Sequence, residues 1–448
     1  MAHDKKGITV LCACAVTVFT LAGGSLRADD APATRDELRQ LKEENKALQE
    51  QLRQQQSLIE SLSRKVNQIE QADSQRSRQL DQLGSEVKDG NATTKDAGNF
   101  SLGKVSLSAE GAAAFFNTGS QGAFPNSEFR VDEAKLFIEA PVLENVYFFS
   151  EINLMTREAE NLSVQLGEAY LDFENVSQLW NRDRMLNIRL GRMYNPFGEE
   201  YQSRYAIDNP LISHSLTDIW GVDEGIEFYG KMGKFSYALA VQNGGPSGVR
   251  DFNGDKSVAG RLSFDPNQWL HLSASGMRTG DLQKPGDYWS ELWFGNGWFY
   301  PFGSTNANVY HANLAEGDIE IRLPHGHLKA FGGYARYDDN DPARIDRRDI
   351  FYYSVEGVYD ITRKFYGAVR FSQILVDKGL PIVGNGDLNT YFYGVPTTDI
   401  WRLSLGLGYR WSQNLIFKGE YSFERGKQVT GQHREHEDLF ALQAAFRF

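Results

Sequence analysis

From Phe100 to Phe448 the sequence alternates apolar or aromatic residues with polar or small ones at a period of two, run after run. That period marks β-strands with one face in an apolar medium. Leu403, Leu405, Leu407, Tyr409 and Trp411 share one face, and Arg402, Ser404, Gly406, Gly408 and Arg410 share the other. Leu415, Phe417, Gly419, Tyr421 and Phe423 repeat the scheme against Ile416, Lys418, Glu420, Ser422 and Glu424, and the chain ends on Phe440, Leu442, Ala444, Phe446 and Phe448. A soluble sandwich would alternate in the same way, so the connections have to decide.

Strand centres fall in 101–117, 127–140, 145–156, 161–174, 185–194, 221–231, 233–243, 256–264, 268–279, 316–323, 326–338, 350–360, 364–376, 400–411, 414–424 and 437–448, sixteen in all. Short connections follow the even strands, at 141–144, Gly233, 265–267, 324–325 and 360–363, with 175–184 the one longer member. Long connections follow the odd strands, including 195–220, 280–315 and 377–399. Turns at one end and loops at the other are the pattern of an outer-membrane barrel, with periplasmic turns and extracellular loops. The expected fold is therefore all-β, a 16-stranded antiparallel transmembrane β-barrel over 100–448, with both ends of the domain on the turn side.

Composition agrees and narrows the function. Mean hydropathy is −0.47, and the longest uncharged apolar run, 8–22, is too short to span a bilayer comfortably as a helix. A polytopic helical membrane protein is excluded. The net charge of −12 leaves no basic excess for phosphates, which argues against nucleic acid as a partner. Residues 1–28 read as a signal peptide, with Lys5 and Lys6 ahead of the apolar run and Ala28 at the cleavage site. Cys12 and Cys14, the two cysteines of the chain, lie inside it, so the exported protein has no disulfide, thiolate metal site or catalytic thiol.

After a short segment at 29–35, residues 36–88 become rich in Gln, Glu, Arg, Lys and Leu. With Leu38 at an a position, eleven of fifteen seam positions through Val87 are apolar, and Asn45 occupies another a position. So narrow a stripe predicts a coiled coil, extended about 80 Å, because it needs partner helices to cover it. Residues 89–99 read as a hinge linker, and the coiled coil would stand in the periplasm as the stem of a homotrimer, with a dimer as the other reading.

Within the barrel, Gly191-Arg192-Met193-Tyr194-Asn195-Pro196-Phe197-Gly198-Glu199 resembles the G-R-x-x-x-P-F-G-x-E signature of the phosphate-selective porin O and P family. The terminal Phe446 and Phe448 are similar to the aromatic ends that the barrel assembly machinery reads. The resemblance, which covers about residues 100–448, implies a trimeric pore whose third extracellular loop, here 195–220, folds inward as a constriction. Members that select phosphate use clustered arginines there. This loop departs from that pattern, with Arg204 against Glu199, Glu200, Asp208 and Asp218.

The polar strand phase, taken as inward, gives pore-lining candidates Lys135, Arg189, Arg261, Lys329, Arg370, Arg402, Arg410, Lys418 and Glu420 in a wall of mixed charge. If the loop folds inward, its carboxylates would face Arg204 and wall arginines such as Arg402 and Arg410. A transverse field of that kind favours weak anion or near-neutral selectivity without a tight phosphate site. His325, His327, His433 and His436, and the acidic stretches 251–255 and 338–341, read as surface turns and loops rather than metal sites, and no catalytic motif or cofactor fingerprint occurs. The expected function is a non-enzymatic outer-membrane porin for small hydrophilic solutes and ions, phosphate or other anions among them, surrounded by outer-membrane lipid. The alternative is a structural anchor whose coiled coil contacts the cell wall.

Overall fold

The structure, a computed structural model, describes residues 100–102, 104–157, 164–245, 250–284, 286–303 and 306–448. The signal peptide, the coiled coil expected at 36–88 and the hinge at 89–99 lie outside these residues.

Sixteen long strands run up and down in chain order. They are β1 (Val105–Thr118), β2 (Glu128–Leu143), β3 (Val146–Met155), β4 (Gln165–Phe173), β5 (Asn187–Tyr194), β6 (Trp220–Met232), β7 (Phe235–Gln242) and β8 (Ser257–Asn267). Then come β9 (Leu270–Arg278), β10 (Val309–Leu323), β11 (Gly326–Asp339), β12 (Arg348–Asp360), β13 (Phe365–Leu380), β14 (Thr397–Ser412), β15 (Leu415–Gln428) and β16 (Leu439–Arg447). Each pairs antiparallel with its successor, and β16 pairs with β1, Arg447 opposite Glu110 and Leu439 opposite Thr118. The sheet is closed, so none of the sixteen is left as an unpaired edge.

Turn chemistry explains the short end. In the two-residue connections Asn145 and Gly233 take φ of 58° and 63°, values that Asn and Gly tolerate and β-branched residues do not. Two expected turns are displaced. β2 runs on to Leu143 and β8 to Asn267, because Pro141 and Pro266 sit near strand ends, where register shifts mark irregular pairing and a missing N–H is tolerated. The even connection 174–186 holds a short 3₁₀ turn, Val176–Trp180.

Side chains sort by face as the alternation predicts. Leu405, Leu407, Phe417, Phe440 and Leu442 are exposed on the outside, while Ser404, Lys418, Ser422 and Gln443 are buried inside. In water so broad an apolar surface would drive aggregation; in lipid it is the solvated face. Exposed Tyr147, Tyr359, Phe365 and Trp411 lie near the short-turn end, where aromatic rings suit the membrane interface.

Candidate functional site

Connections after the odd strands are named L1 to L8. L3, 195–219, begins where Pro196 stops β5 and the chain turns at Gly198, whose φ is 68°. A Cβ there would sit 2.4 Å from Glu316 Oε1, so glycine permits the close approach to the wall. The Gly198 N–H donates to Ser275 Oγ (3.0 Å), and Arg261 donates to its carbonyl (2.6 Å). L3 then crosses the lumen. The Tyr205 hydroxyl donates to Glu151 on β3 (2.8 Å), and on the far wall Lys418 Nζ donates to the carbonyls of Ala206, Asn209 and Leu211 at 2.6, 3.1 and 2.9 Å. Glu420 accepts from the N–H groups of Ile212 and Ser213 (2.6 and 2.8 Å). Arg370 donates to Ser213 O and Asn209 Oδ1, Arg157 to Ile212 O, and the Leu216 N–H to Ser372 Oγ. Loop carbonyls and N–H groups that would otherwise be buried without partners are thus satisfied by side chains of the wall and, at Arg157, of the loop after β3.

The charges expected on the constriction are paired locally. Arg204 forms a two-pronged pair with Asp218 (3.0 and 2.9 Å) and lies over the Trp220 ring at 4.3 Å. Burial opposes ionisation of Asp218, yet the Arg204 guanidinium and His214 beside it hold its carboxyl well below the usual carboxylate range. Glu199 meets Arg261 at 3.2 Å and His271 at 3.3 Å. Glu200 accepts from the N–H and hydroxyl of Ser215, and Asp208 pairs with Arg447 at 2.6 Å. On the wall, Lys135 stands 3.6 Å from Glu151 and over the Tyr205 ring, and Arg189 bridges Asp172 and Glu227 (3.0 and 3.1 Å). Half-buried Lys329 is opposite Glu320 and Glu356 in register. Arg370 pairs with Glu356, Arg402 with Glu424 (2.6 Å) and Arg410 with Asp360 (2.7 Å). Glu199, Glu200, Asp208 and Asp218 therefore do not face Arg402 and Arg410 across an open gap. Arg370, Lys418 and Glu420 grip L3 rather than stand free on the wall. Phe446 and Phe448 stack at 6.2 Å, and Phe448 exchanges two 2.8 Å backbone bonds with Ala109.

The extracellular side of the lumen holds something the polar-inward reading missed. Phe197, Leu216 and Ile219 of L3, Leu282, Leu292, Phe294 and Phe299 of L5 (279–308) and Ile382 of L7 (381–396) form one buried apolar cluster. It packs on inward Tyr310, Leu314, Tyr337, Ile350, Tyr352, Ile374 and Ile400 of β10 to β14. The signal was present: in Ile350-Phe351-Tyr352-Tyr353 both strand phases are apolar, which one lipid-facing side does not require. Buried Arg434 of L8 (429–438) ties L7 down, donating to the carbonyls of Ile382 and Val383 (both 2.7 Å), pairing with Glu437 and lying 3.6 Å over the Tyr391 ring. Opposite, between L3 and β4 to β8, a polar cavity of about 400 Å³ is lined by tyrosines, arginines and carboxylates.

Residues 143–448 match the family model described as "Putative beta-barrel porin-2, OmpL-like". Among solved structures, the outer membrane channel DcaP of Acinetobacter baumannii aligns with a TM-score of 0.51 and 12% identity, over 80% of this chain and 100% of that one. In-vitro folded OmpT, an outer membrane protein of Vibrio cholerae, gives 0.51 and 11% over 79% and 100%. At such identities the likeness is one of fold. No curated protein matches the sequence.

Proposed function

The chain belongs to the beta-barrel porin-2, OmpL-like family and is an outer-membrane channel protein, and we propose that it passes small hydrophilic solutes and ions by passive diffusion through the side of the lumen that L3, L5 and L7 leave polar. The observation that carries this reading is the split interior. Apolar loop residues pack against β10 to β14, whereas the cavity beside β4 to β8 stays polar and open. Local pairing of Arg204 with Asp218, Glu199 with Arg261 and Asp208 with Arg447 leaves no unpaired arginine cluster on L3 among the described residues to trap an anion. The O and P signature resemblance at 191–199 accordingly supports the loop geometry and not a phosphate site. Reversal potentials in a KCl gradient test the selectivity: a small displacement toward the anion side or none fits, and block of chloride current by micromolar phosphate contradicts it.

The barrel is proposed to work as a homotrimer, with 1–28 removed on export, 29–35 leading into a periplasmic coiled-coil stem at 36–88, a hinge at 89–99 and insertion by the barrel assembly machinery. Mass measurement of the detergent-solubilised protein checks this; a trimer is expected, and a monomer overturns it. The apolar loop cluster favours a second reading, in which the barrel is an anchor closed by its loops and the stem contacts the cell wall. That reading predicts a silent bilayer.

A further inference from the structure

The cavity of about 400 Å³ has a lining that ion passage does not require. Its volume falls within the roughly 300–1,000 Å³ of small-molecule sites. Six tyrosines surround it: Tyr170, Tyr194, Tyr201, Tyr205, Tyr229 and Tyr237. Several of the rings are fixed in place. Tyr194 stacks on Tyr201 at 5.5 Å, and Arg189 lies between Tyr170 and Tyr229, at 5.1 and 4.3 Å from the two ring centres. The Tyr229 hydroxyl donates to Asp172, that of Tyr237 to the Met185 carbonyl and that of Tyr205 to Glu151. The hydroxyls of Tyr170 and Tyr194, by contrast, meet no protein acceptor among the described residues.

The charges of the site decide what fits. Arg189 is held by Asp172 and Glu227, and Arg261 by Glu199, while Glu168 adds a further carboxylate to the lining. An anion would have to break those pairs and approach the carboxylates behind them. A purely apolar ligand would strip water from guanidinium and carboxylate groups without replacing its hydrogen bonds. A sugar ring meets both demands. Its C–H faces pack on tyrosine rings, and its hydroxyls both donate and accept, which suits free tyrosine hydroxyls beside paired charges. We infer that this cavity is a binding site for a short neutral saccharide; the inference rests on the channel reading for the route by which the sugar arrives.

Isothermal calorimetry of the detergent-solubilised full chain with maltotriose, cellotriose and sucrose tests the site without needing an open pore. Saturable heat with at least one sugar is expected. Tyr170→Leu and Tyr194→Leu, which remove a ring and keep apolar volume, should weaken binding about tenfold, the equivalent of about 1.4 kcal/mol. Tyr170→Phe, which keeps the ring, should weaken it less and guards against misfolding of the leucine variants. No saturable heat with any of the three sugars overturns the site, as does unchanged affinity in the ring-deleted variants or displacement of bound sugar by phosphate. Bilayer recording separates the two readings: open steps without sugar binding remove the site alone, and sugar binding to a silent barrel removes the channel alone.

Discussion

Glu291, midway along L5, is the side chain through which pH is expected to act on the loops. It is buried, neither carboxyl oxygen has a hydrogen-bond partner among the described residues, and its neighbours Leu292 and Trp293 pair with Gly221 and Trp220 at the start of β6. Burial, with Asp223 nearby, pushes the Glu291 carboxyl up to about 8. A carboxyl whose folded pKa is raised favours the fold below its unfolded pKa of about 4.3, and that contribution is lost as pH rises through the folded value. L5 should therefore pack tightly at pH 6 and loosen above pH 8, by on the order of a few kcal/mol. Channel conductance and current noise recorded across that range should rise in the wild type and stay flat in Glu291→Gln; a flat wild-type profile contradicts the assignment.

L3 as an element is defined by what holds it. Lys418 donates to three of its carbonyls, and Lys418→Met removes all three bonds, leaving buried acceptors that cost about 1–3 kcal/mol each when unmet. The variant should fold, because the sheet pairing of β15 is made by backbone, and should show larger, noisier conductance; unchanged steps would mean that L3 does not set the width. At this scale the sequence was legible where strands face lipid and opaque where loops re-enter the barrel. All sixteen strands, and the loop after the fifth, follow from alternation and turn spacing. The start of β10 does not: 309–315 fall in the expected loop 280–315 because Tyr310, Ala312 and Leu314 are the inward residues and His311 and Asn313 the outward ones, the reverse of the polar-inward rule. Apolar residues from L5 cover that inner face, and no local pattern announces a partner so far along the chain. For the same reason Arg370, Lys418 and Glu420 could be placed on the inner face but not on L3, since the loop backbone they grip is distant in sequence.

At the scale of the whole molecule, Phe448 extends the β16–β1 seam that closes the sheet. Phe448 exchanges two backbone bonds with Ala109, and Arg447 pairs with Glu110 at 2.9 Å across the same seam. Deleting Phe448 removes both backbone bonds and the ring stacked on Phe446, so the folded fraction recovered from the outer membrane should fall severalfold; full recovery contradicts a role for this residue in closure or assembly. The seam is made within one chain, so its loss should act on single barrels before any effect on oligomers. The central proposal is that solutes pass through the side of the interior that the apolar loops leave polar. Single-molecule recording of the purified wild-type protein in a planar bilayer measures this directly: the split interior predicts stable, discrete open steps, and persistent silence from protein shown to be folded and inserted would contradict it.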